Sequence, residues 1–219
     1  MPLSFELIVF DWDGTLMDSA AAIAASLKVA GDDLGLVSRN DAERRNVIGL
    51  GMREAVLGLY PGLTEAELGR FTDCYRQNFF LNNAHSTPLF QGVIPMLERL
   101  LERELWLAVA TGKGRNGLKK ALADSELAHF FHSTRTAEET CSKPDPQMLC
   151  EIMDELGVEA DKVLMVGDTE YDLDMARRAG VSSIGVSYGA HEYDRLLSHA
   201  PLACVHSLAE LDQWFETHL

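Results

Sequence analysis

A short apolar segment near the start of the chain constrains the fold more than any other feature. Leu7-Ile8-Val9-Phe10 is followed at once by Asp11-Trp12-Asp13-Gly14-Thr15. An uninterrupted apolar run of this length is typical of a strand buried in a parallel sheet. In open α/β sheets, ligands bind just beyond the carboxyl ends of such strands. The segment therefore predicts a buried first strand with two carboxylates at its functional end.

Asp11 and Asp13 also predict partners elsewhere in the chain. Gly14 makes a turn after the strand easy, because glycine adopts backbone conformations closed to other residues. Two unpaired carboxylates near a buried strand end are costly unless a metal or a lysine compensates them. We therefore expect a cation, a basic residue and further acids at this site.

Composition excludes several classes of protein. The 219 residues include 34 Asp and Glu against 19 Lys and Arg, a net charge of −15. This balance repels phosphate backbones and anionic membranes, so we expect neither a nucleic-acid partner nor a membrane partner. The four cysteines have neither CxxC nor zinc-site spacing and are typical of a reducing compartment. The apolar run has no basic flank and is too short to span a bilayer, which favours a cytoplasmic protein.

The order of predicted elements indicates the fold class. Residues 16–84 have helical patterns only: Asp18 or Ser19 can cap a first helix, Asn40-Asp41 opens a second, a third spans about 52–59, and the capping box Thr64-x-x-Glu67 begins a fourth. From Pro88 onward strands and helices alternate. The sequence predicts strands at 7–10, 105–110, 130–133, 163–166, 183–186 and 203–205, and later helices at about 115–123, 146–156, 171–179 and 208–217. Such alternation favours a parallel sheet with helices on both faces. We expect a Rossmann-like α/β core over residues 1–15 and 85–219, and an inserted all-helical domain over 16–84.

Polar residues follow several of the predicted strands. Asp11 and Asp13 follow the first, Thr111-Gly112-Lys113 ends the second, and Gly167-Asp168 with Asp172 follows a later one. Carboxylates that meet at one sheet edge form an oxygen-rich site suited to Mg²⁺. A loop lysine, Lys143, together with Thr111 and the amide of Gly112, suits a phosphoryl group.

Taken together, these motifs resemble a known family. The set Asp11-x-Asp13-Gly14-Thr15, Thr111, Lys143 and Gly167-Asp168-x-x-x-Asp172 is similar, in order, to the four motifs of the haloacid dehalogenase superfamily of phosphohydrolases. The helical block resembles the cap domain of that family. Lys143-Pro144-x-Pro146 is similar to the phosphoglycolate phosphatase and β-phosphoglucomutase branch.

The resemblance implies a role for each motif residue. Asp11 would be the nucleophile that forms an aspartyl-phosphate, and Asp13 the general acid and base. Mg²⁺ would be held by the Asp11 and Asp168 carboxylates and the backbone carbonyl of Asp13, with Asp172 in support. Lys143 and Thr111 would bind the phosphoryl group. The true dehalogenases of the family lack an aspartate at the position of Asp13, so its presence favours phosphoryl transfer.

Three other interpretations compete with this one. Asp-x-Asp-Gly also begins calcium loops, but the later glycine and the closing glutamate of an EF-hand are missing. Gly112-x-Gly114-x-x-Gly117 matches a dinucleotide-binding pattern, although that reading leaves Asp11, Lys143 and Asp168 unexplained. A non-catalytic binding protein could keep the fold, but such proteins usually lose a nucleophile or a metal ligand, and none is missing here.

The substrate is expected to depend on the helical block. The loop Gly49-Leu50-Gly51 is the part expected to reach the site, and Arg53 is the candidate cation for a carboxylated ester, with Lys28, Arg44 and Arg45 behind it. We expect a small phosphorylated metabolite such as phosphoglycolate. The sequence does not choose among phosphoglycolate, sugar phosphates, pyrophosphate and nucleoside monophosphates, and a phosphosugar mutase or a pyrophosphatase of the same superfamily is the alternative. The sequence does not indicate an oligomeric state.

Overall fold

A six-stranded parallel sheet forms the centre of the molecule. The computed structural model describes residues 4–83 and 87–219, with the backbone alone described at residues 82 and 83. The strands are β1 (Leu7–Phe10), β2 (Trp106–Thr111), β3 (Ser133–Thr136), β4 (Val163–Gly167), β5 (Ser182–Val186) and β6 (Ala203–Val205). Their order in the sheet is β3-β2-β1-β4-β5-β6, and every pair is parallel. The expected α/β fold class is confirmed.

Helices connect the strands, and one more helix follows the last strand. Between β1 and β2 lie α1 (Ala20–Asp33), α2 (Asp41–Asn46), α3 (Met52–Leu59), α4 (Glu65–Asn83) and α5 (Val93–Glu102). Later in the chain come α6 (Arg115–Asp124), α7 (Gln147–Leu156), α8 (Glu170–Ala179), α9 (Tyr193–Leu197) and α10 (Leu208–His218). Helix α4 follows the predicted Thr64-x-x-Glu67 capping box, in which the Glu67 amide donates to Thr64 Oγ1 and Glu67 Oε2 accepts from the Thr64 amide.

Strand register positions the functional edge of the sheet. Phe10, the last residue of β1, is level with Val109 of β2 and Val166 of β4. The residues after these positions therefore emerge side by side at one edge. All four residues of β1 are fully buried, as the apolar run predicted.

Apolar side chains of the described residues form three clusters. One covers the sheet face of Ile8 and Phe10, and a second covers the face of Leu7 and Val9. A third lies within the block α1–α4 and includes Ile23, Leu27, Val56, Leu59 and Phe71. The division into domains at 15/16 and 84/85 stays a prediction, and residues 84–86, at its second boundary, lie outside the described residues.

The prediction of a strand at 130–133 was wrong. Residues Ala128–Phe130 form a 3-10 helix that buries Phe130, and the strand begins at Ser133. Aromatic residues before the strand carried the strand-like signal, whereas β3 itself is polar because it lies at the edge of the sheet. Helix α9 is an addition that no prediction covered; its five residues bury Leu196 alone.

Within the described ranges, none of the helices has both the length and the apolar content that a bilayer crossing requires.

Candidate active site

The carboxyl ends of β1, β2 and β4 supply the central polar residues of the site. Asp11 follows β1, Thr111 ends β2 and Asp168 follows β4, and all three are buried. Because β1 lies between β2 and β4, the strand order itself gathers these side chains at one edge of the sheet. The structure thus brings together the strand-end residues that the sequence singled out.

Gly14 makes the turn that the sequence predicted. Its φ angle is +85°, in the left-handed region that favours glycine, and its amide donates to the carbonyl of Met17 at 2.8 Å. A Cβ at this position would collide with the carboxylate of Asp168. The next residue, Thr15, donates its hydroxyl to Asp168 Oδ1 at 3.1 Å. As a result, the loop after β1 packs directly against the loop after β4, and Asp11 and Asp13 line one cavity.

Lys143 lies between two carboxylates in the interior of the protein. Its Nζ is 2.8 Å from Asp11 Oδ1 and 2.6 Å from Asp172 Oδ1, and its side chain is fully buried. Burial alone would lower the pKa of Lys143, but the two carboxylates outweigh it and hold the pKa above its usual value. Lys143 is therefore a charged lysine pointing at the predicted nucleophile.

Three buried carboxylates surround that lysine. Oxygen atoms of Asp11, Asp168 and Asp172 all lie within 4.8 Å of one another. Burial raises the pKa of Asp11 to about 7 against the lowering effect of Lys143. Burial, and then repulsion by Asp11 and Asp172, raises the pKa of Asp168 well above its usual value. Three carboxylates against one ammonium leave two negative charges uncompensated when all are ionised.

A divalent cation fits this cluster. Asp11 Oδ2 is buried and has no hydrogen-bond partner among the described residues. Asp172, in contrast, has both oxygens engaged, because Oδ1 pairs with Lys143 and Oδ2 accepts from the amide and hydroxyl of Thr169. An all-oxygen donor set with excess negative charge suits Mg²⁺. The Asp13 side chain lies outside this group of three described carboxylates.

Asp13 has two partners to which sequence reasoning gave no role. Lys113 Nζ lies 2.9 Å from its Oδ2, and the hydroxyl of Ser19 donates to its Oδ1 at 2.7 Å. The helix pattern suggested Ser19 as a cap for α1, but its side chain makes no capping bond. A signal for Lys113 existed, since it lies two residues after Thr111 at a strand end. The Lys113 amide also donates to Thr111 Oγ1 at 3.2 Å.

The loop Gly49-Leu50-Gly51 reaches the site, as expected. A Cβ at Gly112 would collide with the carbonyl oxygens of Gly49 and Leu50, so glycine at 112 allows the loop to approach. The amide of Gly51 donates to Ser142 Oγ at 2.7 Å, next to Lys143 in the chain. Gly51 and Gly112 both line the cavity.

Arg53 lines the cavity, but its guanidinium is already engaged. Nη1 and Nη2 lie 2.7 Å and 2.5 Å from the two carboxylate oxygens of Glu65, and about half of the side chain is exposed. The three cations expected behind it are not among the described residues that line the cavity. Lys28 pairs with Asp32 of its own helix, and Arg44 and Arg45 pair with Asp41.

The Gly-rich pattern at 112–117 has a structural explanation within the protein. Gly112 admits the loop at 49–51, a Cβ at Gly114 would collide with the carboxylate of Glu138, and a Cβ at Gly117 would crowd the stem of Lys113. Each glycine thus accommodates another part of this chain. The motif is accounted for without a dinucleotide.

Asp11, Asp13, Thr111 and Lys113 line one cavity of ≈ 600 Å³, whereas Lys143, Asp168 and Asp172 are not among the described residues that line it. Its polar end contains Asp11, Asp13 and Thr111 from the sheet edge. The opposite wall comes from the helical block and includes Ile23, Leu27, Leu68, Tyr75 and Phe79. A volume of this size is typical of small-molecule sites.

Sheet topology, strand-end carboxylates and a buried lysine define an α/β protein with a polar site at the carboxyl edge of its sheet, and comparison with known proteins gives its family. Residues 8–186 match the family model of haloacid dehalogenase-like hydrolases, and the chain belongs to that family.

Individual relatives agree with this assignment. The chain is 31% identical to a 5'-nucleotidase of Pseudomonas aeruginosa over 99% of its own length and 98% of that protein. It is 30% identical to a phosphoglycolate phosphatase of Rhodospirillum rubrum, over 94% of the chain and 89% of the relative. A crystal structure of a predicted phosphatase from Clostridium acetobutylicum superposes with a TM-score of 0.85 at 26% identity, covering 97% and 99% of the two chains. The expected enzyme class, phosphoric monoester hydrolase, is confirmed.

Proposed function

We propose that this enzyme hydrolyses a small phosphate monoester with Mg²⁺ and that Asp11 is the nucleophile. The observation that carries the proposal is the set of contacts that the two oxygens of the Asp11 carboxylate make. One oxygen faces Lys143 at 2.8 Å, and the other is buried without a hydrogen-bond partner among the described residues. A nucleophile requires such an oxygen, held in place but not consumed by hydrogen bonds.

Asp11 and Asp168, with the backbone carbonyl of Asp13 and with Asp172 in support, would hold the Mg²⁺. A bound Mg²⁺ supplies positive charge that offsets the charge of the phosphoryl group. It also favours the ionised form of Asp11, whose pKa burial raises to about 7. Lys143, Thr111 and the amide of Gly112 would hold the phosphoryl oxygens.

The proposed reaction has two steps, and Asp11 and Asp13 take part in both. Asp11 attacks phosphorus, the bond from phosphorus to the leaving oxygen breaks, and Asp13 gives a proton to that oxygen. Asp13 then takes a proton from water, which attacks the aspartyl-phosphate and releases inorganic phosphate. Ser19 and Lys113 hold the Asp13 carboxylate in place, and Lys113 would have to release its oxygen when Asp13 carries the proton for the leaving group.

Helices α1–α4, within the predicted domain 16–84, would act as the cap that excludes water. Its contacts with the core support this proposal. The Gly51 amide donates to Ser142 Oγ at 2.7 Å. The carbonyl of Asn46 accepts from the Tyr171 hydroxyl at 2.7 Å, and Asn46 Oδ1 accepts from Arg195 at 2.6 Å.

Phosphoglycolate is the first ester to test, since relatives at 27–30% identity are named for it. Arg53 is the candidate for contacting its carboxylate. To do so, the guanidinium would have to exchange Glu65 for the substrate. Arg53→Ala should then lower kcat/KM for phosphoglycolate more than for neutral esters.

Release of inorganic phosphate from p-nitrophenyl phosphate and a panel of esters, with and without Mg²⁺, tests the proposal. We expect metal-dependent turnover that Asp11→Asn lowers by at least about 1,000-fold, because the nucleophile is lost. Asp161 is an exposed acid that is not among the residues of the site. Asp161→Asn is therefore the matched control and should keep full activity. Undiminished turnover by Asp11→Asn would overturn the assignment of the nucleophile.

A further inference from the structure

Part of the cavity wall belongs to no helix or strand. Residues 47–51, which we call the cavity segment, line the cavity between the end of α2 at Asn46 and the start of α3 at Met52. Because the segment has no regular structure of its own, its position over the site depends on contacts with the core.

The core holds the Asn46 end of the cavity segment through two side chains. The Tyr171 hydroxyl donates to the Asn46 carbonyl at 2.7 Å, and Arg195 Nη1 donates to Asn46 Oδ1 at 2.6 Å. The carbonyl lies in the last turn of α2, where backbone oxygens have no partner within the helix. Backbone and side chain of this residue are thus both fixed from the core, although Asn46 itself is exposed.

Arg195 is held in the orientation that its contact with Asn46 needs. Its Nε donates to Glu170 Oε2 at 2.6 Å, and its Nη2 pairs with Glu170 Oε1. A two-point pair with a carboxylate fixes the plane of a guanidinium. Nη1 is the remaining nitrogen, and it is the one that reaches Asn46.

The other end of the cavity segment is held next to Lys143. The Gly51 amide donates to Ser142 Oγ at 2.7 Å. Between the two ends, a Cβ at Gly49 would come within 2.9 Å of Thr169 Oγ1, so the backbone of the segment lies close to the start of α8. The segment is therefore held at both ends and packs against the core between them.

The contacts at Asn46 begin in the part of the chain that carries the buried acids. Glu170 and Tyr171 lie between Asp168 and Asp172, at the start of α8. Asp172 meets Lys143 at 2.6 Å within the carboxylate cluster, while Tyr171 reaches the helical block. One turn of α8 thus connects the carboxylate cluster to the cavity segment.

We propose that Tyr171 and Arg195 are positioning residues, which hold Asn46 so that the cavity segment lies against the leaving group of the substrate. The inference rests on the proposed hydrolysis, in which the leaving group occupies the cavity beside Asp13. Neither residue is among the described residues that line the cavity, so each acts through Asn46. Loss of either contact lowers the population in which the segment is correctly placed, and this weakens substrate binding while the reacting groups stay in place.

Two substitutions of Asn46 test the role of its side chain. Asn46→Ala removes the oxygen that Arg195 binds, whereas Asn46→Asp keeps an oxygen there. With p-nitrophenyl phosphate and Mg²⁺, we expect Asn46→Ala to raise KM about threefold or more with kcat within about twofold of the wild type, the pattern of lost binding without lost chemistry. Asn46→Asp should keep KM within about twofold of the wild type.

Tyr171→Phe removes the second contact and should raise KM as Asn46→Ala does. The matched control is Arg178→Gln, which breaks an exposed ion pair with Asp174 on the same helix. This control should leave both KM and kcat unchanged.

Hydrogen exchange measured by mass spectrometry follows the cavity segment directly and does not depend on turnover. A peptide that covers residues 47–51 should exchange about fivefold faster in Asn46→Ala than in the wild type, the factor that corresponds to one net hydrogen bond. Peptides from β1 and β4 should exchange as in the wild type.

The outcomes separate this inference from the proposed function. Faster exchange at 47–51 with no phosphate release by the wild type would support the anchoring and overturn the proposed hydrolysis. Unchanged exchange at 47–51, or an unchanged KM, in Asn46→Ala would overturn the inference while hydrolysis stands. A rise in KM that Asn46→Asp shares, or faster exchange throughout the protein, would assign these contacts to general stability and overturn the inference as well.

Discussion

At the scale of single residues, the carboxylates of the site differ in what surrounds them. Asp11 keeps one oxygen without a hydrogen-bond partner among the described residues, whereas Asp13 has Ser19 on one oxygen and Lys113 on the other. Asp11 lies in a cluster of like charges, and Asp13 forms a balanced pair with a lysine. The oxygen of Asp11 without a described partner supports attack by Asp11, whereas Ser19 and Lys113 position the Asp13 carboxylate for its proposed role.

His191 provides a pH-dependent test of how the loop after β5 packs against the start of α8. Burial lowers its pKa from the usual 6.5 to about 4, and its Nδ1 accepts from the Glu170 amide. Between these pH values the unfolded chain binds a proton that the folded protein does not, so the free energy of unfolding falls as pH falls from about 6.5 to about 4. His191→Gln should remove up to about 3 kcal/mol of this acid sensitivity.

Urea unfolding at several pH values between 7 and 4 measures that effect. His129→Gln, at an exposed position, is the control and should leave the pH dependence as in the wild type. An acid sensitivity that is unaltered by His191→Gln would show that this histidine is not held neutral in the folded protein.

At the scale of elements, sequence patterns predicted the bounds of those helices and strands whose position depends mainly on their own residues. The capping box Asn40–Glu43 begins α2, and the predicted bounds of α3 and β6 agree with the structure. β3 was misplaced because an edge strand of polar residues has no apolar periodicity of its own. Its position depends on pairing with β2, which a local pattern does not encode.

The residues of the site can likewise be separated into those that the sequence could predict and those that it could not. The strand-end acids, Thr111 and Lys143 could be predicted, because the carboxyl ends of parallel strands meet at one edge. The contact of Ser19 with Asp13 could not, since a serine before a helix predicts a cap equally well. The pairing of Arg53 with Glu65 spans two helices, so the sequence alone did not show that this cation was engaged.

Substitution of Gly112 tests whether the enzyme needs the close approach of the loop 49–51 to the end of β2. A methyl group in Gly112→Ala would collide with backbone carbonyls of Gly49 and Leu50 and displace the loop. We expect kcat/KM to fall by about tenfold or more, on the scale of a small misplacement near an active site. Steady-state kinetics with p-nitrophenyl phosphate would measure it.

A second glycine provides the matched control. Gly69 lies inside α4, is exposed, and has no atom within 4 Å of the position that its Cβ would take. Gly69→Ala should raise the free energy of unfolding by about 1 kcal/mol and leave kcat/KM unchanged. Equal kcat/KM for Gly112→Ala and the wild type would contradict the role assigned to this loop.

At the scale of the whole molecule, charge links metal binding to stability. The chain carries a net charge of −15, and three of its carboxylates are buried within 4.8 Å of one another. Mg²⁺ that binds the folded protein alone should therefore stabilise it, by about 2.7 kcal/mol at a concentration 100-fold above Kd. Thermal unfolding with Mg²⁺ and with EDTA would measure the shift in Tm.

General screening of the net charge must be separated from binding at the site. NaCl at equal ionic strength should raise Tm less than Mg²⁺ does. Asp168→Asn should lose most of the Mg²⁺-specific shift, whereas Asp161→Asn should keep it. A shift that survives Asp168→Asn would place the stabilising cation elsewhere.

The covalent step on Asp11 is the central claim, and Asp13→Asn makes it visible. p-Nitrophenolate leaves without a proton from the enzyme, so the first step should proceed in this variant, whereas the second lacks the base that activates water. With p-nitrophenyl phosphate and Mg²⁺, we expect a burst of about one nitrophenolate per protein chain, and mass spectrometry of the quenched protein should find the phosphoryl group on Asp11. A phosphoryl group on another residue, or continued turnover with no phosphorylated protein, would contradict the account.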